Sequence, residues 1–255
     1  MLFSLISPQG GTFTALLDMM SYGVSMVLCT LFLSSYADDI KKDTRALPKL
    51  PILCIIFALC VMYAGNVFSS ALSEVFKGFG YGINADFPIY SDVPSVIISF
   101  IHLVILPPLL EEILMRKLVL GSVLPFGKSG AVIFSSLIFA LFHMNLMQIP
   151  FAFLCGLVFG YFTVKTGSVF FAVLLHFLNN LSAFILSYIG TDITFSSFLK
   201  AGIFIVPIWV LCTVILYKNG YFREKLRFCK ISPLVIFYAV ICIVFTFLAI
   251  QPIQR

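Results

Sequence analysis

The sequence predicts an all-α fold: a polytopic membrane helix bundle of about eight transmembrane helices. Three observations predict it. The 255-residue chain is 61% hydrophobic and 11% charged, where a soluble domain is about a quarter charged. Its mean hydropathy of +1.10 leaves no polar surface with which to stay in water. Its polar residues fall mostly in breaks between apolar runs of ~20 residues, the length that crosses a ~30 Å hydrocarbon core.

The apolar runs are 12–35, 51–71, 95–118, 129–147, 149–165, 168–189, 200–217 and 231–250. The first follows MLFSLISPQGG, which lacks the basic segment of a cleaved signal peptide, so the first span itself is expected to direct insertion. A break at 36–50, containing ADDIKKDTRALPKL, closes it. The second run leads into 72–94, whose Gly78, Gly80, Gly82, Pro88 and Pro94 predict a longer surface loop. The third carries Pro107-Pro108, a predicted bend. Short breaks separate the next three runs, and the small-xxx-small pair Gly156 and Gly160 predicts tight packing of the fifth. The seventh ends at KNGYFREKLRFCK (218–230), and the eighth follows. No repeat of fixed period and no soluble domain interrupts this order. Residues 1–255 read as one membrane-embedded domain, with its motif-bearing core at about 95–190.

Basic residues set the expected orientation. Twelve (Lys41, Lys42, Arg45, Lys49, Lys117, Lys128, Lys165, Lys218, Arg223, Lys225, Arg227 and Lys230) follow odd-numbered spans, against three (Lys77, Lys200 and Arg255) on the other side. That bias places both termini outside the cytoplasm of a multi-pass cell-membrane protein. The same placement accounts for the formal charge of +5 without a nucleic-acid partner. The seven cysteines contain no CxxC pair and read as small buried hydrophobes.

An ionisable group at bilayer depth costs at least ~2.5–3.5 kcal/mol, and it persists when it is paired, faces a cavity, or acts. In PPLLEEILMRK (107–117), Glu112 and Arg116 are one turn apart in the favourable order for an intrahelical pair. Glu111 points ~100° away without a local partner, and burial is what makes a carboxylate a usable general base. FALFHMN places His143 one turn after Phe139, and HFLNN places His176 one turn before Asn180. Asn180 either orients that imidazole or donates beside it to a shared oxygen. Singly, each set has a structural reading: an ion pair, a core histidine, a helix-packing pair. Together they put two acids, an arginine, an asparagine and two of the three histidines on three nearby spans, which points to a polar cavity. His102, nine residues before Glu111, falls on the opposite face of an unbroken helix and is left out of the site.

The ordered spacing EExxxR, FxxxH, HxxxN resembles the CAAX-protease and bacteriocin-processing family (CPBP, or Abi) of intramembrane proteases. The matching residues are Glu111, Glu112 and Arg116, then Phe139 and His143, then His176 and Asn180, within about 100–185. The resemblance implies an endopeptidase acting on a peptide or membrane protein inside the bilayer. It implies that Glu111 and His143 activate water, that His176 and Asn180 stabilise the oxyanion, and that Glu112 and Arg116 hold the helix. Family roles divide between processing prenylated C-termini and bacterial tasks, such as maturing peptide signals or bacteriocins, or immunity to them. The small chain without an appended domain favours the bacterial tasks.

No cofactor is demanded by these motifs. A divalent metal such as zinc stays open, held by Glu111, His143 and His176 with a position left for water. HExxH is absent. The competing class is non-catalytic: a membrane scaffold or immunity protein, or a proton-coupled transporter using the same cavity. Retention of every motif residue and confinement of the polar groups to mid-chain favour the enzyme.

Depth poses a geometric question. Glu111 lies ~9 Å from Lys117 and His176 ~12 Å from Ser168, but His143 lies ~22 Å from Lys128. The three meet if the fourth helix projects from the membrane, or if the third runs on to about Leu124.

Overall fold

The computed structural model describes residues 12–34, 47–82, 92–189, 194–223 and 251–252. These form seven helices: α1 (Thr12–Ser34), α2 (Pro51–Gly78), α3 (Val93–Phe126), α4 (Lys128–Phe142), α5 (Ile149–Thr166), α6 (Phe170–Ile189) and α7 (Phe195–Lys218). A two-residue antiparallel bridge joins Tyr81–Gly82 to Gln251–Pro252. Six of the helices are long and apolar enough to cross a membrane, whereas α4, with 15 residues, is not. The chain is a multi-pass helical membrane protein. The predicted eighth span, 231–250, lies outside the described residues, as does most of the first polar break.

Three boundaries differ from the sequence pattern, each for a local reason. α2 runs on to Gly78, because no proline or glycine interrupts residues 72–77, and the expected loop is shorter by that much. α3 passes Lys117 and ends at Phe126, before Gly127, whose φ of +134° is open to glycine and rarely to other residues. Lys117 therefore sits on a helix and not in a loop. α4 stops at Phe142, leaving His143 as its C-terminal cap and Met144, at φ +47°, to reverse the chain.

The bend predicted at Pro107-Pro108 takes the form of a π-turn, Ile101–Ile105. Pro107 lacks the N–H that would bond the Leu103 carbonyl one turn back. The helix widens instead, with the Leu106 N–H reaching the Ile101 carbonyl. A second π-segment, Ile113–Leu120, follows the two glutamates.

α5 is the centre of the bundle, with half of its length buried. It packs on α4, α2 and α6, while α3 lies against α1, α4 and α6, and α7 closes on α2. The glycine face of α5 is what lets α4 approach: a Cβ on Gly156 would lie 2.8 Å from the Ser136 backbone, and one on Gly160 3.2 Å from Val132. The buried side chains of Phe139, Phe159, Phe162 and Phe171 fill the space between these helices. Cys54, Cys60, Cys155 and Cys212 are buried free thiols, as expected, whereas Cys29 is exposed.

The longer α3 answers the depth question. Glu111 is fifteen residues before Phe126, and His143 is fifteen after Lys128. Measured from the Gly127 turn, both lie ~22 Å up consecutive helices. Of the two routes by which the sequence allowed the motifs to meet, extension of the third helix is the one taken.

Candidate active site

Glu112 and Arg116 form the predicted intrahelical pair, with Arg116 Nε donating to Glu112 Oε2 at 2.8 Å and both side chains fully buried. Arg116 also reaches Ser135 Oγ on α4 at 3.4 Å. Its guanidinium lies against the Phe139 ring, 5.0 Å from the centroid, and 5.8 Å from that of Phe159. These rings hold a planar cation that has one nitrogen, Nη2, without a hydrogen-bond partner among the described residues.

The other oxygen of Glu112 faces α6. Glu112 Oε1 is 3.0 Å from His176 Nδ1, so one carboxylate joins Arg116 to His176. An ionised carboxylate only accepts hydrogen bonds, so this contact puts a proton on Nδ1 and turns Nε2 outward. Nε2 then points toward Glu111, 4.0 Å from its Oε2. The imidazole is stacked on Phe159, with centroids 5.4 Å apart, and meets the edge of Phe139. Sequence reading paired Glu112 with Arg116 alone; its bond to His176 joins helices far apart in sequence.

Glu111 is 7% exposed. It has the partner that the sequence did not reveal: Tyr22 of α1 donates its hydroxyl to Glu111 Oε1 at 2.8 Å. Tyr22 also packs against His102, with ring centroids 5.5 Å apart. His102, left out of the site by sequence, thus touches the tyrosine that holds Glu111. The π-turn Ile101–Ile105 interrupts the 100° per residue by which the sequence placed it on the opposite face.

His143 donates Nδ1–H to the Phe139 carbonyl at 2.9 Å, since a carbonyl can only accept. That bond satisfies an end carbonyl of α4, fixes the ring, and leaves Nε2 as an acceptor. Phe139 meets both histidines edge-on, His143 at 4.9 Å and His176 at 6.0 Å between centroids. Glu111 and His143 share a level of the bundle without a direct hydrogen bond among the described residues.

Asn180 Nδ2 donates to the Leu103 carbonyl at 2.9 Å, and its Oδ1 accepts from Asn179 at 3.1 Å. Leu103 is the residue whose carbonyl Pro107 leaves without its helical donor, so Asn180 closes a gap that the proline opens. The second N–H of its amide stays available. Asn145 sits apart from this cluster, its Oδ1 accepting from Met147 N in the turn before α5.

Residues 93–182 match the family model for type II CAAX prenyl endopeptidases, Rce1-like. That stretch is similar to the CAAX-protease family. It runs from the start of α3 into α6 and contains all three motifs. No curated protein and no solved structure matches the chain.

Within this matched stretch, the fit to a metal can be judged on the donor set. No group of three or more His, Cys, Asp or Glu side chains among the described residues is placed to hold an ion. His176 Nδ1 is engaged by Glu112, and His143 Nδ1 by a carbonyl. Both bonds leave Nε2 free, as in metal-ligating histidines, so they do not bar Glu111, His143 and His176 from holding an ion. Tyr22 lies outside the matched stretch, on a helix with no motif, so its part in the cluster is visible only in the folded chain.

Proposed function

We propose that this chain is an intramembrane endopeptidase in which Glu111 is the general base. The observation that carries this reading is the state of Glu111. It is a nearly buried carboxylate, held through one oxygen by Tyr22, with the other 4.0 Å from an imidazole nitrogen that Glu112 aims at it. A 4.0 Å gap is too long for a hydrogen bond and suits an oxygen placed between the two groups.

Water bound by Glu111 and His143 Nε2 loses a proton to Glu111 as its oxygen attacks the scissile carbonyl carbon. His176, carrying protons on both nitrogens, donates Nε2–H to the developing oxyanion, with the second amide N–H of Asn180 beside it. Collapse of the tetrahedral species breaks the C–N bond, and the proton held by Glu111 passes to the leaving amine. With His176 so protonated, two carboxylates face one guanidinium and one imidazolium, and the buried charges balance. The substrate is a peptide or membrane protein whose scissile bond enters the bundle.

The test compares cells expressing the wild type with cells expressing Glu111→Gln at equal levels, by mass spectrometry of peptide termini. Specific termini should vanish and a longer precursor accumulate, and whether that precursor is prenylated separates the two substrate branches. Identical profiles alongside a persisting wild-type phenotype would replace hydrolysis with the scaffold or transport reading. On this metal-free route, a zinc chelator should leave the termini unchanged. Their loss on chelation would instead place zinc on Glu111, His143 and His176.

A further inference from the structure

A helix carbonyl takes its hydrogen bond from the N–H four residues on, or five on where the helix widens into a π-turn. For Leu103 those residues are Pro107 and Pro108, and neither has an N–H to give. The N–H three residues on, that of Leu106, goes to the Ile101 carbonyl. Two consecutive prolines thus deny one carbonyl both of its helical donors, which a single proline in a widened helix does not do. At membrane depth a backbone group freed in this way is satisfied from a neighbouring helix.

The neighbour is α6, whose Asn180 donates Nδ2–H to the Leu103 carbonyl at 2.9 Å. A carbonyl only accepts, so this bond decides which end of the amide faces α3. Asn179 holds the other end, donating Nδ2–H to Asn180 Oδ1 at 3.1 Å. With its oxygen and one N–H engaged, the Asn180 amide has a set plane and one N–H left to give. It lies one turn beyond His176, whose Nδ1 contact with Glu112 sets that ring in the same way.

We propose that Pro107, Pro108 and Asn179 are positioning residues, which hold the remaining N–H of Asn180 in the direction of the developing oxyanion. This deepens the endopeptidase reading and rests on it. The prolines act by withholding donors, which opens a socket on α3 that a group from outside the helix must fill. Glu112 then orients one donor to the oxyanion, and the Leu103 carbonyl orients the other. A use of Asn180 only as a plug for the backbone leads to a different expectation. Giving the helix its donors back would then leave hydrolysis untouched.

The test is a cycle of variants of the full chain in detergent. Unfolding temperature is read beside kcat and KM on a peptide spanning the cleavage site found from the termini comparison. Asn180→Ala should lower the unfolding temperature by roughly 2–4 °C, the shift for one orphaned group in a chain of this size. In the double variant Pro107→Ala, Pro108→Ala that shift should shrink by about half or more, because the carbonyl keeps a helical donor. The double Ala variant should itself unfold no lower than the wild type, since alanine suits a helix interior. Its kcat should nevertheless fall about tenfold with KM unchanged. Asn179→Ala, which leaves α3 as it is, should also lower kcat severalfold at unchanged KM, and it serves where the proline variant does not fold. With Glu111→Gln still abolishing the termini, three results would each overturn the positioning role alone. They are equal Asn180→Ala shifts in the two backgrounds, wild-type kcat in a folded proline variant, and wild-type kcat for Asn179→Ala. If Glu111→Gln leaves the termini unchanged, the endopeptidase reading fails and this role with it, while the unfolding temperatures still report the socket.

Discussion

Glu112→Gln is expected to lower kcat by roughly 10⁴-fold, the scale on which an imidazole loses function when its orienting carboxylate becomes an amide. The reason is a count of acceptors. Glu112 accepts from Arg116 through Oε2 and contacts His176 through Oε1. A carboxamide has one oxygen and one NH₂, so it can serve only one of those donors. Arg116 cannot give up its proton, so the oxygen turns to it and the NH₂ faces His176 Nδ1. The ring must then hold its proton on Nε2 and can no longer carry two. It keeps its place on Phe159 but loses the form that the oxyanion needs. The measurement is kcat on a substrate identified from the termini comparison, beside thermal unfolding of both proteins. A loss under tenfold in a folded variant would remove His176 from oxyanion stabilisation.

The parts of this site legible in sequence are those whose geometry is local to one helix. EExxxR fixes the Glu112–Arg116 pair because residues four apart share a face, and FxxxH sets Phe139 beneath His143 for the same reason. What crosses between helices was not legible. Tyr22 is one of ten tyrosines, and nothing in its own helix marks it as the donor to Glu111. Asn180 also completes the backbone that Pro107 interrupts, a role readable only once α3 and α6 are known to touch. The contact of His102 with Tyr22 was hidden for a simpler reason. A constant angle per residue fails at a π-turn, and prolines flag where this happens without saying how the helix will respond. The level shared by Glu111 and His143 depended on where α3 ends, and the short polar breaks between 118 and 170 are weak stop signals inside an apolar chain.

Arg116→Met is expected to cost ~3–5 kcal/mol of stability, the usual scale for removing one partner of a buried ion pair. Both charges have 0% exposure, so no water replaces the guanidinium. Glu112 would retain His176 as its remaining partner, and Met fills the space between Phe139 and Phe159 without a donor. The readout is the unfolding temperature in detergent, or the yield of folded protein. A cost below ~1 kcal/mol would mean that the pair is solvated, contrary to its burial. The double variant Arg116→Met, Glu112→Leu carries the argument further. Removing both charges also removes their desolvation, and replacing a buried pair by apolar residues is often neutral or stabilising. Stability should therefore largely return, while hydrolysis should not, because His176 then has no carboxylate to hold it. A bundle that folds without the pair but cannot cut would show that Arg116 is kept for the imidazole at the end of the chain Arg116–Glu112–His176, and not for the fold.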